Sequence, residues 1–312
     1  METLVGGDRV DLRMMEYACA VYRQGSVTKA AEVLCVAQPS LSQQLAKLED
    51  ELRVVLFVRG RGGAVPTAHG ERFVEQAEHI LRLQEDLVRE MRERSQGMGS
   101  ELVVGAPAIT GGRVLPPIIS AFHERYPATR VRLIEETTEE LERLAARGET
   151  DLCLLALPIR EDRLTTIPLF TEALYLVVPL KVTGEWERGV ASGVDDSLGV
   201  ALKTYAKAPF ILLKHGYGFR QTVLALCAES GFQPDVAYET SSIETAQTLV
   251  AHGLGVTIVP ALVRRQGGQG PVYYRLDPPA TRTLVFAYHK DRYLGLAARA
   301  FLQVYREVKP SW

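Results

Sequence analysis

Polar side chains at helical spacing near the N-terminus have the chemistry that reading nucleic acid requires. Leu41, Leu45, Leu48 and Leu52 recur every three or four residues, which predicts a helix with one buried stripe. Amide, hydroxyl and ammonium groups remain off that stripe, and such groups hydrogen-bond to base edges and phosphates. The candidate DNA-binding residues of this segment are Gln38, Pro39, Ser40, Ser42, Gln43 and Lys47.

A second group of candidates follows predicted strands in the rest of the chain. Residues 107–111 and 214–219 each follow a strand and open a helix, and free N–H groups at helix N-termini favour an anion such as a carboxylate. Aromatic side chains there could enclose an apolar ligand body, and hydroxyl groups could orient it. The candidate effector-binding residues are Ala108, Ile109, Thr110, Thr138, Leu157, Pro158, His215, Tyr217, Gly218, Phe219 and Ser241. For each Ser or Thr alone, helix capping is the competing interpretation, and Ser242 could cap a helix that begins at Ile243.

Three predicted helices near the N-terminus would position this polar face. The pattern predicts helices over residues 12–22, 27–34 and 40–52, with a break at Gly25 and Pro39 at a first helical position. Two short helices joined by a tight turn are a DNA-reading device. Ser26, which is placed to cap the second helix, and Thr28 therefore join the candidate DNA contacts. An ordinary helical bundle is the competing interpretation.

Residues 59–63 alternate arginine with glycine and predict a flexible basic tip. Glycine lets the backbone approach a phosphate closely, while Arg59 and Arg61 supply positive charge. We interpret this segment, with the return through residues 64–66, as the wing of a winged helix-turn-helix. A plain solvated hairpin is the alternative.

Residues 67–95 predict one long helix with a heptad seam, on the order of 40 Å long at ~1.5 Å per residue. Its two apolar rows contain Phe73, Ala77, Ile80, Gln84, Leu87 and Met91 in one, and Val74, Leu81 and Val88 in the other. Such a helix cannot bury both rows alone, so we expect it to pair with its copy in a homodimer. A surface helix packed on its own chain is the alternative.

After a hinge at residues 95–100 the pattern becomes that of an α/β fold. Strands are predicted at 101–105, 130–135, 151–157, 175–178, 210–213, 236–239, 256–259 and 283–288, and helices at 113–126, 138–147, 219–230, 243–252 and 294–308. This order predicts a mostly parallel sheet in two lobes, with a ligand cleft between them and an irregular connection at 179–208. The expected domains are residues 1–66 (DNA binding), 67–96 (the long helix) and 97–312 (small-molecule binding), with lobe I at 101–179 and 280–312 and lobe II at 180–279.

Composition is that of an ordinary globular protein of two or three domains, with 312 residues, 46% of them hydrophobic and 24% charged. The sequence has no apolar run near the roughly 20 residues that span a bilayer, and its first residues lack a secretory core. We therefore expect a cytoplasmic protein without a membrane partner. The net charge of −2 gives no support for DNA binding, but Arg53, Arg59 and Arg61 cluster with no acid between residues 52 and 70.

The four cysteines (Cys19, Cys35, Cys153 and Cys227) match no metal or redox spacing, so we expect reduced thiols and neither a metal nor a cofactor. No common hydrolase, metalloprotease or nucleotide-binding motif is present, which argues against an enzyme. A two-lobed solute-binding protein without DNA function is the remaining rival. It would not need a basic wing or a long dimer helix.

The run GSVTKAAEVLCVAQPSLSQQLAKLEDELRVVLFVR, followed by Pro66-Thr67-Ala68-His69-Gly70, resembles the winged helix-turn-helix of the LysR-type transcriptional regulators. The resemblance extends in outline over almost all 312 residues. It implies a dimerising linker helix and a two-lobed effector domain like that of periplasmic solute-binding proteins. The partners that it implies are double-stranded promoter DNA, a small-molecule effector, further copies of the chain in a homotetramer built from two dimers, and RNA polymerase.

At three positions the chain departs from what it resembles. Regulators that bind muconate-like diacids tend to have a hydroxyl residue where this chain has Ile109, which argues against that ligand class. Peroxide-sensing relatives place a reactive cysteine where this chain has Gly218, and Cys227 matches only the partner cysteine, so we expect no thiol switch. Gln43 stands where relatives commonly have Arg, which should weaken a phosphate or guanine contact.

Overall fold

The computed structural model describes residues 10–60, 63–98, 101–180, 199–265 and 270–308. The chain divides into two compact units, Met1–Ser95 and Gln96–Trp312. Several sequence-based predictions fall outside the described residues. They concern Arg61 and Gly62 of the wing, residues 99–100 of the hinge and residues 181–198 of the irregular connection.

The first unit consists of helices and one small hairpin. Its elements are α1 (Leu12–Gln24), α2 (Val27–Val33), α3 (Gln38–Leu52), β1 (Phe57–Gly60), β2 (Gly63–Pro66) and α4 (Ala68–Gln96). α3 begins two residues earlier than predicted, so Pro39 is its second residue and not its first. Proline is accepted there because the first-turn N–H groups have no partner within the helix.

Side-chain caps define where the first two helices begin. The Asp11 side chain accepts a hydrogen bond from Met14 N at 2.8 Å, and Ser26 Oγ accepts one from Lys29 N at 3.4 Å. α1 ends at Gly25, which has the left-handed φ of 60°. The three helices then bury one shared core, which includes Val21, Ala30, Leu41, Leu45 and Leu48.

The second unit is an α/β domain. Its strands are β3 (Glu101–Ala106), β4 (Arg130–Glu135), β5 (Leu152–Ala156), β6 (Leu164–Val178), β7 (Pro209–Leu213), β8 (Asp235–Thr240), β9 (Thr257–Pro260), β10 (Val272–Arg275) and β11 (Thr281–His289). Its helices are α5 (Ala108–Arg125), α6 (Thr138–Arg147), α7 (Gly218–Glu229), α8 (Ile243–Ala251) and α9 (Leu296–Val308). Lobe I contains β3, β4, β5, α5, α6 and α9. Lobe II contains β7, β8, β9, β10, α7 and α8.

The main sheet is mixed, which corrects the prediction of a mostly parallel sheet. Its seven strands run in the order β10-β6-β11-β5-β3-β4, with β9 also paired to β6. β3 is parallel to β4 and β5, but β6 is antiparallel to β9, β10 and β11. A separate parallel pair, β7 and β8, completes lobe II.

β6 is 15 residues long and passes from one lobe into the other, although the sequence predicts only its last four residues. Its first part pairs with β11, and its last part pairs with β9 and β10. The first part of β6 is not predicted from the sequence because it contains Pro168, and proline donates no hydrogen bond to a neighbouring strand. The register with β11 shifts beside Pro168, where Val285 pairs, so the residue is accommodated at an irregularity.

Two apolar cores support the two lobes. In lobe I, α9 packs against α5 and β3, and Phe301 lies 5.4 Å from Phe122 between ring centroids. In lobe II, Phe210, Val223 and Ile258 belong to one buried cluster. These cores fix the strand ends and helix starts that surround the cleft.

Candidate nucleic-acid interface and ligand pocket

The solvent side of α3 carries the polar residues that the sequence singles out. Gln38, Pro39, Ser40, Gln43 and Lys47 are exposed. Ser42 is half-buried and accepts a hydrogen bond from Gln38 Nε2 at 2.9 Å. Lys47 Nζ lies 3.7 Å from Glu51 Oε1, a surface ion pair that a phosphate could replace at small cost.

The turn before α2 and the β1–β2 hairpin lie against each other. Ala64 N donates to Gly25 O at 2.8 Å, and a Cβ added at Gly63, where φ is 115°, would collide with that carbonyl oxygen. Glycine is therefore required for the hairpin to approach the turn. Arg59 lies on β1, Thr28 is exposed on α2 and half-buried Ser26 caps that helix, so these candidates lie on elements joined to one frame.

Hydrogen bonds between side chains and backbone atoms also anchor the ends of the hairpin to α3 and α4. Glu49 Oε1 accepts from the backbone nitrogens of Leu56 and Phe57 at 2.6 and 3.0 Å. Thr67 Oγ1 donates to Val55 O at 2.7 Å and accepts from Gly70 N at 3.0 Å, which caps α4. The position of the hairpin relative to α3 is thus fixed by hydrogen bonds.

The 29-residue helix α4 carries apolar side chains in two environments. Val74 and Ala77 are buried in the core of the first unit. Farther along, Ile80, Leu83, Leu87, Val88 and Met91 are between 36% and 57% exposed. Large apolar side chains repeated along one helix in this way are typical of a surface that packs against another helix.

A pocket of about 700 Å³ lies in the second unit, between the two lobes. Nine of the eleven predicted effector-binding residues line it, namely Ile109, Thr110, Thr138, Leu157, Pro158, His215, Tyr217, Gly218 and Phe219. α5 begins directly after β3 at Ala108, and α7 begins at Gly218. The local order of strand, short loop and helix therefore brings residues from both lobes to one pocket.

Two predicted residues are absent from the pocket lining. Ala108 is exposed at the start of α5, and Ser241 is exposed before α8. The adjacent Ser242 accepts a hydrogen bond from Thr245 N at 3.2 Å, so the hydroxyl group in this loop serves as a helix cap. Ile109 packs in an apolar cluster with Tyr175 of β6, so its side chain contributes apolar surface.

Hydrogen bonds join the lobes at the pocket edge. Gly218 N donates to Thr138 Oγ1 at 3.0 Å, and Glu139 N donates to Gly216 O at 3.3 Å. The Thr138 hydroxyl, predicted to orient a ligand, therefore already accepts from the opposite lobe, although its own O–H can still donate. Arg220, buried next to this loop, donates through NH1 to Leu213 O at 2.6 Å and holds the loop on β7.

Sequence reasoning missed several residues of the pocket lining, among them the buried Arg282. It lies on β11, lines the pocket, and its guanidinium carbon is 5.2 Å from the ring centroid of Phe219. Arg282 Nε donates to Glu172 Oε1 at 2.8 Å, and the two side chains are only 4% and 6% exposed. Burial lowers the pKa of Arg282 while the Glu172 carboxylate raises it, and arginine stays charged in such a pair.

The alternation of residues along the strands indicates that Arg282 and Glu172 are buried. Arg282 is in phase with Leu284 and Phe286, and Glu172 is in phase with Leu174. Residues two apart in a strand face the same side, so a charged residue among buried apolar ones is unusual. Since the sequence does not predict the pairing of β6 with β11, it could not show that these charges meet.

Acidic groups line the pocket on α6 and in the loop between β5 and β6. Glu142 is 8% exposed, lines the pocket, and accepts from the backbone nitrogens of Arg160 and Glu161 through Oε2 at 3.0 Å each. Hydrogen bonds from Arg163 lower the pKa of the Glu161 carboxyl to about 2. The Glu161 carboxylate is therefore ionised at neutral pH and paired with Arg163.

The cysteines differ in exposure. Cys35 is exposed, and Cys19, Cys153 and Cys227 are buried as free thiols. Burial raises the pKa of Cys227 to about 12 and those of Cys19 and Cys153 to about 11. Over the described ranges, His, Cys, Asp and Glu residues form no group of three that could hold a metal ion. None of the helices in those ranges combines the length and apolarity that a bilayer crossing requires.

Two family models match the chain. Residues 12–71 match the bacterial regulatory helix-turn-helix protein of the lysR family, and residues 95–310 match the LysR substrate binding domain. The chain is 48% identical over 307 residues to the uncharacterized HTH-type transcriptional regulator YcgK of Bacillus subtilis, covering 96% of this chain and 94% of that one. It is 29% identical over 296 residues to the DNA-binding transcriptional dual regulator OxyR of Escherichia coli, covering 92% and 94%.

Solved structures have the same fold. A full-length OxyR variant from Pseudomonas aeruginosa matches with a TM-score of 0.64 and 27% identity, covering 96% of this chain and 98% of that one. Full-length BenM matches with a TM-score of 0.57 and 24% identity over 96% of both chains. The fold class predicted from the sequence, a winged helix-turn-helix with a long helix and a two-lobed α/β effector domain, is confirmed.

Proposed function

This chain belongs to the LysR family of bacterial transcriptional regulators, and on that premise we propose how it binds DNA and responds to a ligand. α3 enters the major groove of promoter DNA, and the β1–β2 hairpin contacts the adjacent backbone. A small-molecule effector binds in the pocket between the lobes and changes the DNA complex. We place this function in the cytoplasm, and RNA polymerase is the further partner that a promoter-bound regulator would meet.

The exposed polar face of α3 is the main observation that supports the proposed DNA binding. Gln38, Ser40 and Gln43 offer amides and a hydroxyl that can pair with base edges, and Lys47 can contact a phosphate. The hairpin hydrogen-bonded to the same frame supports a second backbone contact. Arg61, which would supply charge to that contact, lies outside the described residues.

The exposed apolar row on α4 supports self-association. Two copies that pair through this row would hold two α3 helices at a fixed spacing, as a two-fold DNA site requires. Two such dimers would form the proposed homotetramer. Leu87→Glu should lower the mass measured by light scattering at micromolar concentration, whereas Gln76→Glu, a change to the same charged residue at an exposed polar position, should not.

Helix starts at the pocket support an anionic effector. α5 and α7 both begin beside it, and their N-terminal N–H groups carry partial positive charge. In the proposed mechanism, ligand shifts the population of lobe arrangements, reorients paired effector domains and changes the spacing of the DNA-binding domains.

Footprinting of the full-length protein on DNA upstream of its own and neighbouring genes tests the proposal. We expect protection of a two-fold-related sequence that random DNA at the same salt concentration does not compete away. A true effector should change the footprint length. Equal affinity for promoter and random fragments would contradict DNA regulation, and a footprint of unchanged length would contradict the mechanism.

The competing functions have less support. A solute-binding protein without DNA function would account for the second unit but not for the helix-turn-helix match at residues 12–71. The relatives described above carry regulator names and no enzyme name. Turnover of a cleft ligand by the purified protein would revive the enzyme alternative.

A further inference from the structure

Arg282 presents its guanidinium group to the pocket. Glu172 contacts that guanidinium along one edge only. Nε donates to Glu172 Oε1 at 2.8 Å. NH2 lies 2.7 Å from the same oxygen, yet among the described residues it makes no hydrogen bond. The other oxygen of Glu172 is engaged separately, because it accepts from Leu262 N at 2.8 Å.

A buried N–H donor that makes no hydrogen bond is uncommon in a folded protein and marks a position that needs an explanation, even where it lies in an ion pair. The guanidinium has five N–H groups in a planar fork, and the edge formed by NH1 and NH2 matches the two oxygens of a carboxylate. Glu172 holds the Nε edge and keeps the plane fixed. The remaining edge is therefore pre-oriented for a second oxyanion.

The surroundings of Arg282 select the rest of the ligand. Phe219 lies beside the guanidinium, and Ile109, Leu155 and Leu213 add apolar surface to the pocket lining. A pocket of about 700 Å³ lined in this way fits a small molecule with an apolar body and one anionic end.

The buried Glu142 carboxylate disfavours a ligand that carries a second negative charge. Its Oε2 is held by two backbone N–H groups. Within the described part of the chain, no arginine or lysine forms an ion pair with it, so its charge is not neutralised by a salt bridge. A dicarboxylate would bring its second charge into a pocket that already contains this buried carboxylate, which is unfavourable in surroundings of low polarity.

We infer that the effector is an organic monocarboxylate with an apolar body, that Arg282 binds its carboxylate through the NH1–NH2 edge, and that Glu142 excludes dicarboxylates. This inference rests on the proposed function, because it assigns the chemical class of the effector for that pocket. Arg282 is the binding residue, Glu172 positions it, and Glu142 determines specificity.

Calorimetry on the full-length protein with matched probes tests the assignment. The probes are 3-phenylpropanoate, its neutral amide 3-phenylpropanamide, and benzylmalonate, which adds a second carboxylate to the same skeleton, together with straight-chain monocarboxylates and their amides. We expect saturable binding of at least one monocarboxylate, with its amide and its dicarboxylate at least tenfold weaker. Amide binding as tight as that of the acid would overturn the inference.

Substitutions test the binding role of Arg282 and the specificity role of Glu142 separately. Arg282→Lys and the double variant Glu172→Gln/Arg282→Met should weaken monocarboxylate binding about ten- to hundredfold, and the double variant avoids leaving a lone buried carboxylate. Arg275→Met, at an exposed arginine of β10 that does not line the pocket, should change it less than twofold. Glu142→Gln should strengthen dicarboxylate binding about tenfold with little effect on the monocarboxylate, and Glu124→Gln, at an exposed acid of α5 outside the pocket lining, should not. Unchanged binding in both Arg282 variants would also overturn the inference.

Promoter binding measured on the same protein separates the two proposals. Specific promoter binding without binding of any monocarboxylate would overturn the assignment of Arg282 and leave the proposed function standing. Monocarboxylate binding that depends on Arg282, in a protein that binds no promoter DNA, would support the pocket assignment and contradict the proposed function.

Discussion

Gly218 N donates a hydrogen bond to Thr138 Oγ1 across the cleft, at a nitrogen–oxygen distance of 3.0 Å. Thr138 is the first residue of α6 in lobe I, and Gly218 is the first residue of α7 in lobe II. The bond satisfies an N–H that has no partner within its own helix. It also couples the starts of two helices that border the ligand pocket.

Thr138→Val should weaken this coupling, because it removes the acceptor at nearly constant volume. The expected loss is about 1 kcal/mol, or about 2–4 °C in the unfolding midpoint of the effector domain. Thr138→Ser keeps the hydroxyl and should stay within about 1 °C. Differential scanning calorimetry of the full chain measures both. Equal midpoints for the Val and Ser variants would mean that the bond contributes nothing.

Glu172→Gln should destabilise the effector domain by about 3–5 kcal/mol, because it leaves the Arg282 guanidinium buried without a counter-charge. The neutral amide can still accept from Leu262 N, so the effect reports the charge. Urea unfolding measures the loss. Glu172→Gln/Arg282→Met should recover part of the stability, and a double variant less stable than the single one would contradict this reasoning.

Gln38→Ala should reduce discrimination between the operator and random DNA. The expected cost is about 1–3 kcal/mol on the operator if the amide reads a base, with little effect on random DNA. Fluorescence anisotropy at fixed salt measures both affinities. Gln233→Ala, at an exposed glutamine of the effector domain, is the control. Equal losses on both DNAs would show that Gln38 contacts the backbone only.

A thiol reagent should modify one cysteine per native chain and four after denaturation. Cys35 is exposed, while the other three are buried and protonated at neutral pH because burial raises their pKa values. Thiolate is the reactive form, so peroxide at neutral pH should leave Cys227 reduced. Mass spectrometry identifies the modified sites. Rapid native labelling of Cys227 would contradict the predicted absence of a thiol switch.

Stability should fall between pH 9 and pH 12. The pKa of Cys227 is raised from 9.0 to about 12 in the folded state, so above pH 9 the unfolded chain loses a proton that the folded chain keeps. The contribution is fully present below pH 9. Cys227→Ala should make the decline of the urea midpoint with pH shallower, whereas Cys35→Ala should not change it. Identical slopes in wild type and Cys227→Ala would refute the assignment.

Local patterns predict local structure in this chain. The caps at Ser26 and Ser242 and the core leucines of α3 follow from residue type and spacing, because they depend on neighbours within a few positions. The strand–loop–helix order also places nine candidate residues at the pocket.

Features that depend on distant segments were not predicted. β10 is four residues long, and the first part of β6 contains Pro168, so neither shows a clear strand pattern. The bond from Gly218 to Thr138 joins residues 80 positions apart, and the pair of Arg282 with Glu172 joins residues 110 apart. The spacing of residues along the sequence does not predict contacts between residues so far apart.

The continuity of β6 limits how this domain can be changed by recombination. Because one unbroken strand supplies ladder hydrogen bonds on both sides of the cleft, a lobe exchanged with that of a relative would arrive with half a sheet unpaired. The two walls of the pocket must therefore be inherited together, and new ligand preferences should arise by substitution within the existing walls.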